Sequence, residues 1–553
     1  PPVRNPQHGG KSGKLEIRST LPGTPGRTTK ICAQIPNQEK GPHETTSPLK
    51  HTPLDPSSLD PIRSLIPEGR DGLAALLETP GRGQAMRISL DDMVMDYSRQ
   101  PVSGEAMDAL VALAETRQVS GWRDAMLAGE VINHSEGRPV LHAALRDPEQ
   151  AMAREGVDAM AAQVDYLLSL GVEDIVSIGI GGSDLGPAMA VEALAPFHQG
   201  PELHFISNID PAHLSDCLAT LNPLTTAFIV ISKTFTTMET LANMVMAKRW
   251  ITDAGMAVSE RMIAVTAAAD QARQHGIDNQ RILTMNDGIG GRFSLWSAVG
   301  LGIMIAVGRE GFIDLLAGAE SMDRHFAMTP PEANMAMTGG LLRFLHSTVL
   351  GRSTQAIIPY DQRLARLPAW MQQLEMESNG KPAALPGEGA SLGTAPVIFG
   401  EVGSSAQHSF FQLLHQGPTI TPVDFLAPMN PVSFFGGDDP LVQHQHRALL
   451  VNMLAQADAL ALGAVSNGFP GGRPSTIFTW DETGPFALGR LLALYEHITA
   501  VHGWMLGLNS FDQPGVELGK KLAGRYQQWI DGDDAIDLTE SSAHFLQRFR
   551  DRD

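Results

Sequence analysis

The chain has 553 residues, with 41 Lys and Arg against 61 Asp and Glu, a formal net charge of −20. A chain this acidic repels phosphodiester backbones, so nucleic acid is not expected as a partner, and any anionic ligand must be small and held by a local set of donors. The length predicts more than one domain with ample core, and two cysteines, Cys32 and Cys217, are too few for a disulfide framework, which fits a reducing, cytoplasmic setting.

Residues 1–60 are rich in Pro, Gly, Thr and basic residues and show no sustained periodicity, so they read as a disordered extension. The chain begins with Pro and shows no apolar h-region there, so no secretory signal is expected. Over 61–165 the pattern is helical: Asp71–Glu78 and Met107–Glu115 space their apolar residues three and four apart. From 166 to 290 short β-branched runs alternate with helical stretches: Asp174–Ile180, Leu203–Ser207, Ala227–Ser232 and Met262–Thr266. That alternation predicts βαβ units and a parallel sheet. The longest apolar run, Val299–Gly308, falls short of the ~18–20 residues of a membrane helix, so no membrane partner is expected.

Residues 291–345 read as connecting helices. The alternation then returns over 346–515 with Thr354–Pro359, Pro396–Phe399, Ile420–Asp424 and Ser475–Trp480 as strands and Phe486–Leu506 as a long helix, and 516–553 reads as a C-terminal helical arm. The fold class is therefore α/β, with two parallel-sheet units flanked by helices. A short internal similarity, Ile178-Gly-Ile-Gly-Gly-Ser183 against Phe399-Gly-Glu-Val-Gly-Ser404, hints that the two units are related.

Six segments carry chemistry. Gly179-Ile-Gly-Gly-Ser-Asp-Leu-Gly-Pro187 joins a strand to a helix, where glycine backbone and a helix N-terminus suit an anion. A dinucleotide fingerprint would need a glycine where Asp184 stands. Ser232-Lys-Thr-Phe-Thr-Thr237 packs four hydroxyls and one ammonium at a helix start, with Thr236 and Glu239 in capping-box spacing. That set suits one terminal phosphate, and no nucleotide P-loop spacing is present. Gly290-Gly-Arg-Phe-Ser-Leu-Trp296 presents Arg292, fit either for a structural ion pair or for stabilising an oxyanion.

In Gln373–Lys381, Glu377 is a candidate base for removing a proton beside a carbonyl, if burial raises its pKa, and Asn379-Gly380 reads as a turn. His408, near a helix start, is a structural His or an acid/base group. Lys520, in Phe511–Lys520, is a surface Lys or part of a site.

Together these segments resemble the glucose-6-phosphate isomerase family, in its order along the chain, and Gly129–His142 looks like that family's N-terminal region. The resemblance implies two sugar-isomerase domains, each a parallel sheet flanked by helices, in a homodimer with the active site where domains and subunits meet. It implies that Gly182, Ser183, Ser232, Lys233, Thr234, Thr236 and Thr237 hold the phosphate, and that Gln373 and Gln513 contact the substrate. It gives Glu377 the proton shuttle between C1 and C2, Arg292 the enediolate, and His408 and Lys520 the ring opening, with His408 supplied by the partner subunit. A proton shift needs no redox cofactor, and no metal is required because Arg292 can act where other isomerases use a cation. Pro514 and the residues Val402, Ser404, Ser405 and Ala406 depart from the family's usual pattern.

A dual phosphoglucose/phosphomannose isomerase would use the same groups, whereas a non-enzymatic sugar-phosphate sensor would not need Glu377, Arg292, His408 and Lys520 together. The tight pair His444-Gln-His446 has no third ligand nearby in sequence and reads as a polar helix face rather than a metal site.

Overall fold

The computed structural model describes residues 49–67, 69–383, 392–533 and 535–551. Most of the expected extension, with Cys32, lies outside them, but its last dozen residues pack into the fold. Asp55 caps the short helix Pro56–Leu59 by accepting from Ser57 N at 2.9 Å, and Leu54 and Leu59 are buried in the core.

The segment that follows is helical where its spacing predicts it. Gly104–Thr116 is capped by Ser103 Oγ, which accepts from Ala106 N at 3.1 Å, and buries Ala106, Leu110 and Ala114 at four-residue intervals. Between the helices the chain also folds a hairpin that the helical reading passes over. β1 (Arg87–Leu90) pairs antiparallel with β2 (Met93–Asp96), and Asp91 takes the left-handed turn at φ +52. Two runs of four residues, three of the eight Met or Leu, fit a helix face as well as a strand, so periodicity could not separate the two.

Five parallel strands form the first sheet: β3 (Asp174–Ile178), β4 (Glu202–Ile206), β5 (Thr226–Ile231), β6 (Met262–Thr266) and β7 (Ile282–Thr284), in the order β4-β3-β5-β6-β7. The second sheet holds β8 (Thr354–Pro359), β9 (Val397–Gly400), β10 (Val423–Pro428) and β11 (Ser475–Trp480), mutually parallel. The hairpin extends it through an antiparallel β2–β11 pairing, giving β1-β2-β11-β10-β8-β9.

Counted within each unit, both sheets place their parallel strands second, first, third, fourth, so the two units share a topology. The loops whose sequences match are not equivalent, however: Gly179–Ser183 follows the first strand of its unit and Gly400–Ser404 the second of its own. The units share a strand order, but the short similarity that suggested a relationship pairs non-equivalent loops.

Alternate strand residues face two different cores. Ile175, Ile229 and Ile263 join Ile357, Leu426 and Phe478 of the other sheet in one large apolar cluster, together with the helices Leu301–Met328, Met335–Phe344 and Pro485–Leu506. Val176, Ile178, Phe228 and Val230 face a second cluster outside the first sheet, and Ala356, Ile358, Phe425 and Ala427 a third outside the second. Each sheet is thus covered on both faces, as parallel sheets require. The helix Pro485–Leu506 is buried all round from Leu488 to Leu506, so its polar residues, Glu496, Thr499 and His502 among them, find their partners inside the protein.

Candidate active site

The two Gly/Ser/Thr loops leave the C-terminal ends of β3 and β5. These adjacent strands mark the switch point of the first sheet, where the chain's connections diverge and a crevice opens. After β3, Gly181 adopts φ +62 and the chain makes a helical turn, Gly181–Ser183, before the helix Leu185–Ala193. A Cβ on Gly182 would overlap the Gly291 carbonyl, so this glycine lets the first loop lie against the backbone beside Arg292.

After β5, Ser232 is buried. Its Oγ accepts from Phe235 N at 3.1 Å and pairs with Thr237 Oγ1 at 3.1 Å, while Thr234 and Thr236 pair at 2.7 Å. The helix Met238–Asp253 takes Thr237, not Thr236, as its N-cap, and no capping-box bond forms, because the Thr236 hydroxyl is turned to Thr234. Lys233 Nζ donates to the Asp287 and Ile289 carbonyls at 3.0 and 3.2 Å. It therefore ties the loop after β5 to the strand exit that leads to Arg292. Burial pushes this ammonium below its ordinary pKa, with the Asp287 carboxylate working against the shift.

Lys233 and Thr234 form one wall of a cavity of about 390 Å³, closed on other sides by Asn133, Arg138, Asp287 and Gln513. Asn133 and Arg138 belong to Gly129–His142, a tract that carried a resemblance but no assigned role. Asn133 is buried and donates to Glu136 at 3.0 Å and to the Phe511 carbonyl at 3.2 Å, and it accepts from Asn509 at 2.9 Å. The loop 509–513 is held further by Lys381, which donates to the Asn509 carbonyl and, at 2.5 Å, to Asp512.

That loop cradles Arg292. The buried guanidinium donates from Nε to Ser378 Oγ at 2.6 Å, from Nη1 to Gln513 Oε1 at 2.9 Å, and from Nη2 to the Ser510 and Asp512 carbonyls at 2.6 and 3.2 Å. Four of its five N–H groups are thus engaged, and Nη1 stands 3.8 Å from Glu377 Oε1. Burial pushes the guanidinium down to about 10, with Glu377 and Asp512 opposing, so it stays cationic at neutral pH.

Glu377 ends a π-helical turn, Gln372–Glu377, and is partly exposed. Such turns put an extra residue into a helix and often re-aim a functional side chain. Gln373, on the same turn, lies against the first loop: a Cβ on Gly181 would stand 3.1 Å from its Nε2, and its Oε1 is buried without a partner. The Asn379-Gly380 pair ends the helix in a tight turn, with the Lys381 amide donating to the Asn379 carbonyl at 2.8 Å. The Gly380 amide still donates to the Met376 carbonyl at 3.0 Å, and Asn379 is fully buried.

Around the β3–β5 switch point a single chain therefore brings together Gly182, Ser183, Ser232, Lys233, Thr234, Thr236, Thr237, Arg292, Gln373, Glu377 and Gln513. His408 and Lys520 lie on two further helices. His408 stands at the end of the helix Gly403–Gln407, and Lys520 is exposed in the first turn of Glu517–Ile530. Neither lines the cavity. His444 and His446 sit on the helix Pro440–Leu462. Among the described residues no three His, Cys, Asp or Glu gather as a ligand set, and no helix is long and apolar enough to cross a membrane.

The family model for phosphoglucose isomerase matches residues 96–546. A glucose-6-phosphate isomerase of Brucella anthropi is 44% identical over 520 residues, covering 86% of this chain and 94% of its own. One of Cereibacter sphaeroides is 42% identical over 517 residues, covering 86% and 96%. Among solved structures, a glucose-6-phosphate isomerase from Chlamydia trachomatis superposes with a TM-score of 0.78 at 31% identity, over 90% of this chain and 99% of that one. A hypothetical protein from Thermus thermophilus superposes with a TM-score of 0.63 at 27% identity, over 79% and 99%.

Proposed function

This chain belongs to the phosphoglucose isomerase family, and from that premise we propose how its site works and what completes it. The enzyme interconverts glucose 6-phosphate and fructose 6-phosphate, a step of glycolysis run in either direction. The substrate's phosphate sits at the loops 181–183 and 232–237, where backbone N–H groups, hydroxyls and a helix start face the crevice. Its remote charge supplies binding energy that positions the other end of the sugar.

At that end, ring opening exposes the C1 carbonyl and makes the C2 proton acidic. Glu377 takes this proton and returns it to C1, while the enediolate's negative charge is stabilised by Arg292. The observation that carries this reading is the Arg292–Glu377 pair. A fixed, buried cation stands 3.8 Å from a partly exposed carboxylate, with Gln513 joining the guanidinium to the cavity that Lys233 and Thr234 line. Four protein hydrogen bonds hold Arg292 before substrate arrives, so little reorganisation accompanies the reaction. No redox group takes part, because the electrons stay within the sugar.

We read 166–290 as the phosphate-holding domain and 346–515 as the domain that brings the base. His408 and Lys520 open the ring, and the working unit is a homodimer in which His408 reaches the partner's site. Phe434 and Phe435, which are 98% and 77% exposed on a single chain, support an apolar contact with a second copy. Two cysteines in 553 residues favour a reducing, cytoplasmic setting. A coupled assay following fructose 6-phosphate conversion by the purified chain tests the reading. Turnover is expected, and binding of the sugar phosphate without turnover would contradict it.

A further inference from the structure

Two residues before Glu377, on the same π-helical turn, lies a carboxylate with no part in the steps above. Glu375 is fully buried, yet both oxygens are saturated. Oε2 accepts from Arg343 Nη1 at 2.8 Å and from Thr499 Oγ1 at 2.9 Å. Oε1 lies 2.7 Å from His502 Nδ1 and accepts from Asn379 Nδ2 at 3.0 Å. Burial alone would push this carboxyl up, but Arg343 and His502 outweigh it and hold it down to about 2, so it is ionised.

From this hub the bonds run toward the site. Asn379 uses its carbonyl oxygen to accept from Ser510 Oγ at 2.7 Å, and the Ser510 carbonyl accepts from Arg292 Nη2 at 2.6 Å. Arg292 Nε donates at 2.6 Å to Ser378 Oγ, one residue beyond Glu377. Glu375, Asn379, Ser510, Arg292 and Ser378 therefore close a ring through the short backbone segment that carries Glu377. Every member is buried. The ring is also built for fit: a Cβ on Gly503 of the long buried helix would collide with Ser510 Oγ and stand 2.6 Å from Asn379 Oδ1.

Burying an ion pair gains little stability over apolar packing of the same volume, because both charges must leave water. What such a network supplies instead is geometry, since its directional bonds admit one arrangement. Here that arrangement fixes two things at once: the turn that presents the base and the carbonyl that aims the guanidinium.

We propose that Glu375 is a positioning residue, which through Asn379 and Ser510 sets the placement of Arg292 relative to Glu377. The proposal rests on the reading that Arg292 and Glu377 act on the sugar. A displacement of about 1 Å between acting groups costs about 100-fold in rate, so the effect belongs in kcat, whereas the phosphate loops that govern KM lie outside the ring.

The test uses Glu375→Gln and, as a milder cut in the same ring, Ser510→Ala in the full-length enzyme, with kcat, KM and thermal midpoint measured for each. For Ser510→Ala a fall in kcat of about tenfold is expected, with KM within about twofold and the midpoint nearly unchanged. For Glu375→Gln the fall is about 100-fold. If Ser510→Ala keeps the wild-type kcat, or if its losses in kcat, KM and midpoint move together, the positioning role is overturned. Glu377→Gln, assayed alongside, separates the two levels: an active Glu377→Gln sinks the catalytic reading itself, whereas an inactive Glu377→Gln beside a fully active Ser510→Ala sinks only the positioning role.

Discussion

Arg292 Nη1 and the Glu377 carboxylate face each other at 3.8 Å, close enough to attract and too far to share a hydrogen bond. The separation matters because a base locked in a bidentate ion pair would be a poor proton acceptor. Arg292 is kept from closing that gap by its bonds to Ser378, Gln513, Ser510 and Asp512.

Those four bonds need a planar fork. Lysine keeps the charge but cannot reach four acceptors from one fixed position. Arg292→Lys is therefore expected to lower kcat by roughly 10²–10³-fold, the size of losing one preorganised oxyanion donor. Steady-state kinetics check it, and a kcat within a few-fold of wild type would show that charge alone suffices.

The assignment of His408 to the partner's site predicts complementation. His408→Ala and Glu377→Gln are each expected to be inactive. When the two are dissociated together and reassembled, each mixed dimer holds one site with Glu377 from one chain and His408 from the other. About a quarter of the wild-type site number should then return, since about half of the dimers are mixed. No recovery, with mixed dimers demonstrated by tagging, would place His408 in its own chain's site.

Stability should depend on pH through His51. Its ring stacks on Trp122 at 4.4 Å, with both ring nitrogens buried and unpartnered. Burial pushes it from 6.5 down to about 4, with His134, Arg117 and Lys381 adding to the effect and Asp512 opposing it. The unfolded chain binds this proton more tightly, so the contribution is present above about pH 6.5 and is lost as pH falls toward 4. His51→Phe keeps the stack without a titrating nitrogen. Urea denaturation at about pH 7 and pH 5 should show a smaller loss of stability for the variant than for wild type, and equal losses would contradict the assignment.

Most of the scaffold can be read from local pattern. β8 and β11 have the bounds that their β-branched runs predict, whereas the residues around Arg292 alone left it between an ion pair and an oxyanion donor. Features that depend on distant partners could not be read. The hairpin at Arg87–Asp96 is a strand pair only because β11 offers an edge to it. Lys233 is expected at the phosphate, but its bonds to the Asp287 and Ile289 carbonyls, 54 and 56 residues away, could not be read from the sequence. Asn379 carries the signature of a turn, yet its amide is used against Glu375 and Ser510. Asn133 and Arg138 gave no chemical signal at all, since their place in the cavity is set by the loops 509–513 and 286–291.

The central claim is that one carboxylate carries the proton between C1 and C2, and Glu377→Gln tests it most directly. The variant keeps the shape and hydrogen-bonding reach of the side chain but cannot accept the proton. Its kcat, measured in the coupled assay, should fall by about 10⁴-fold or more, the upper range for a lost general base. Binding of fructose 6-phosphate, measured separately by calorimetry, should stay within a few-fold of wild type. A Glu377→Gln enzyme that binds the sugar phosphate and still turns it over within about tenfold of the wild-type rate would contradict the account.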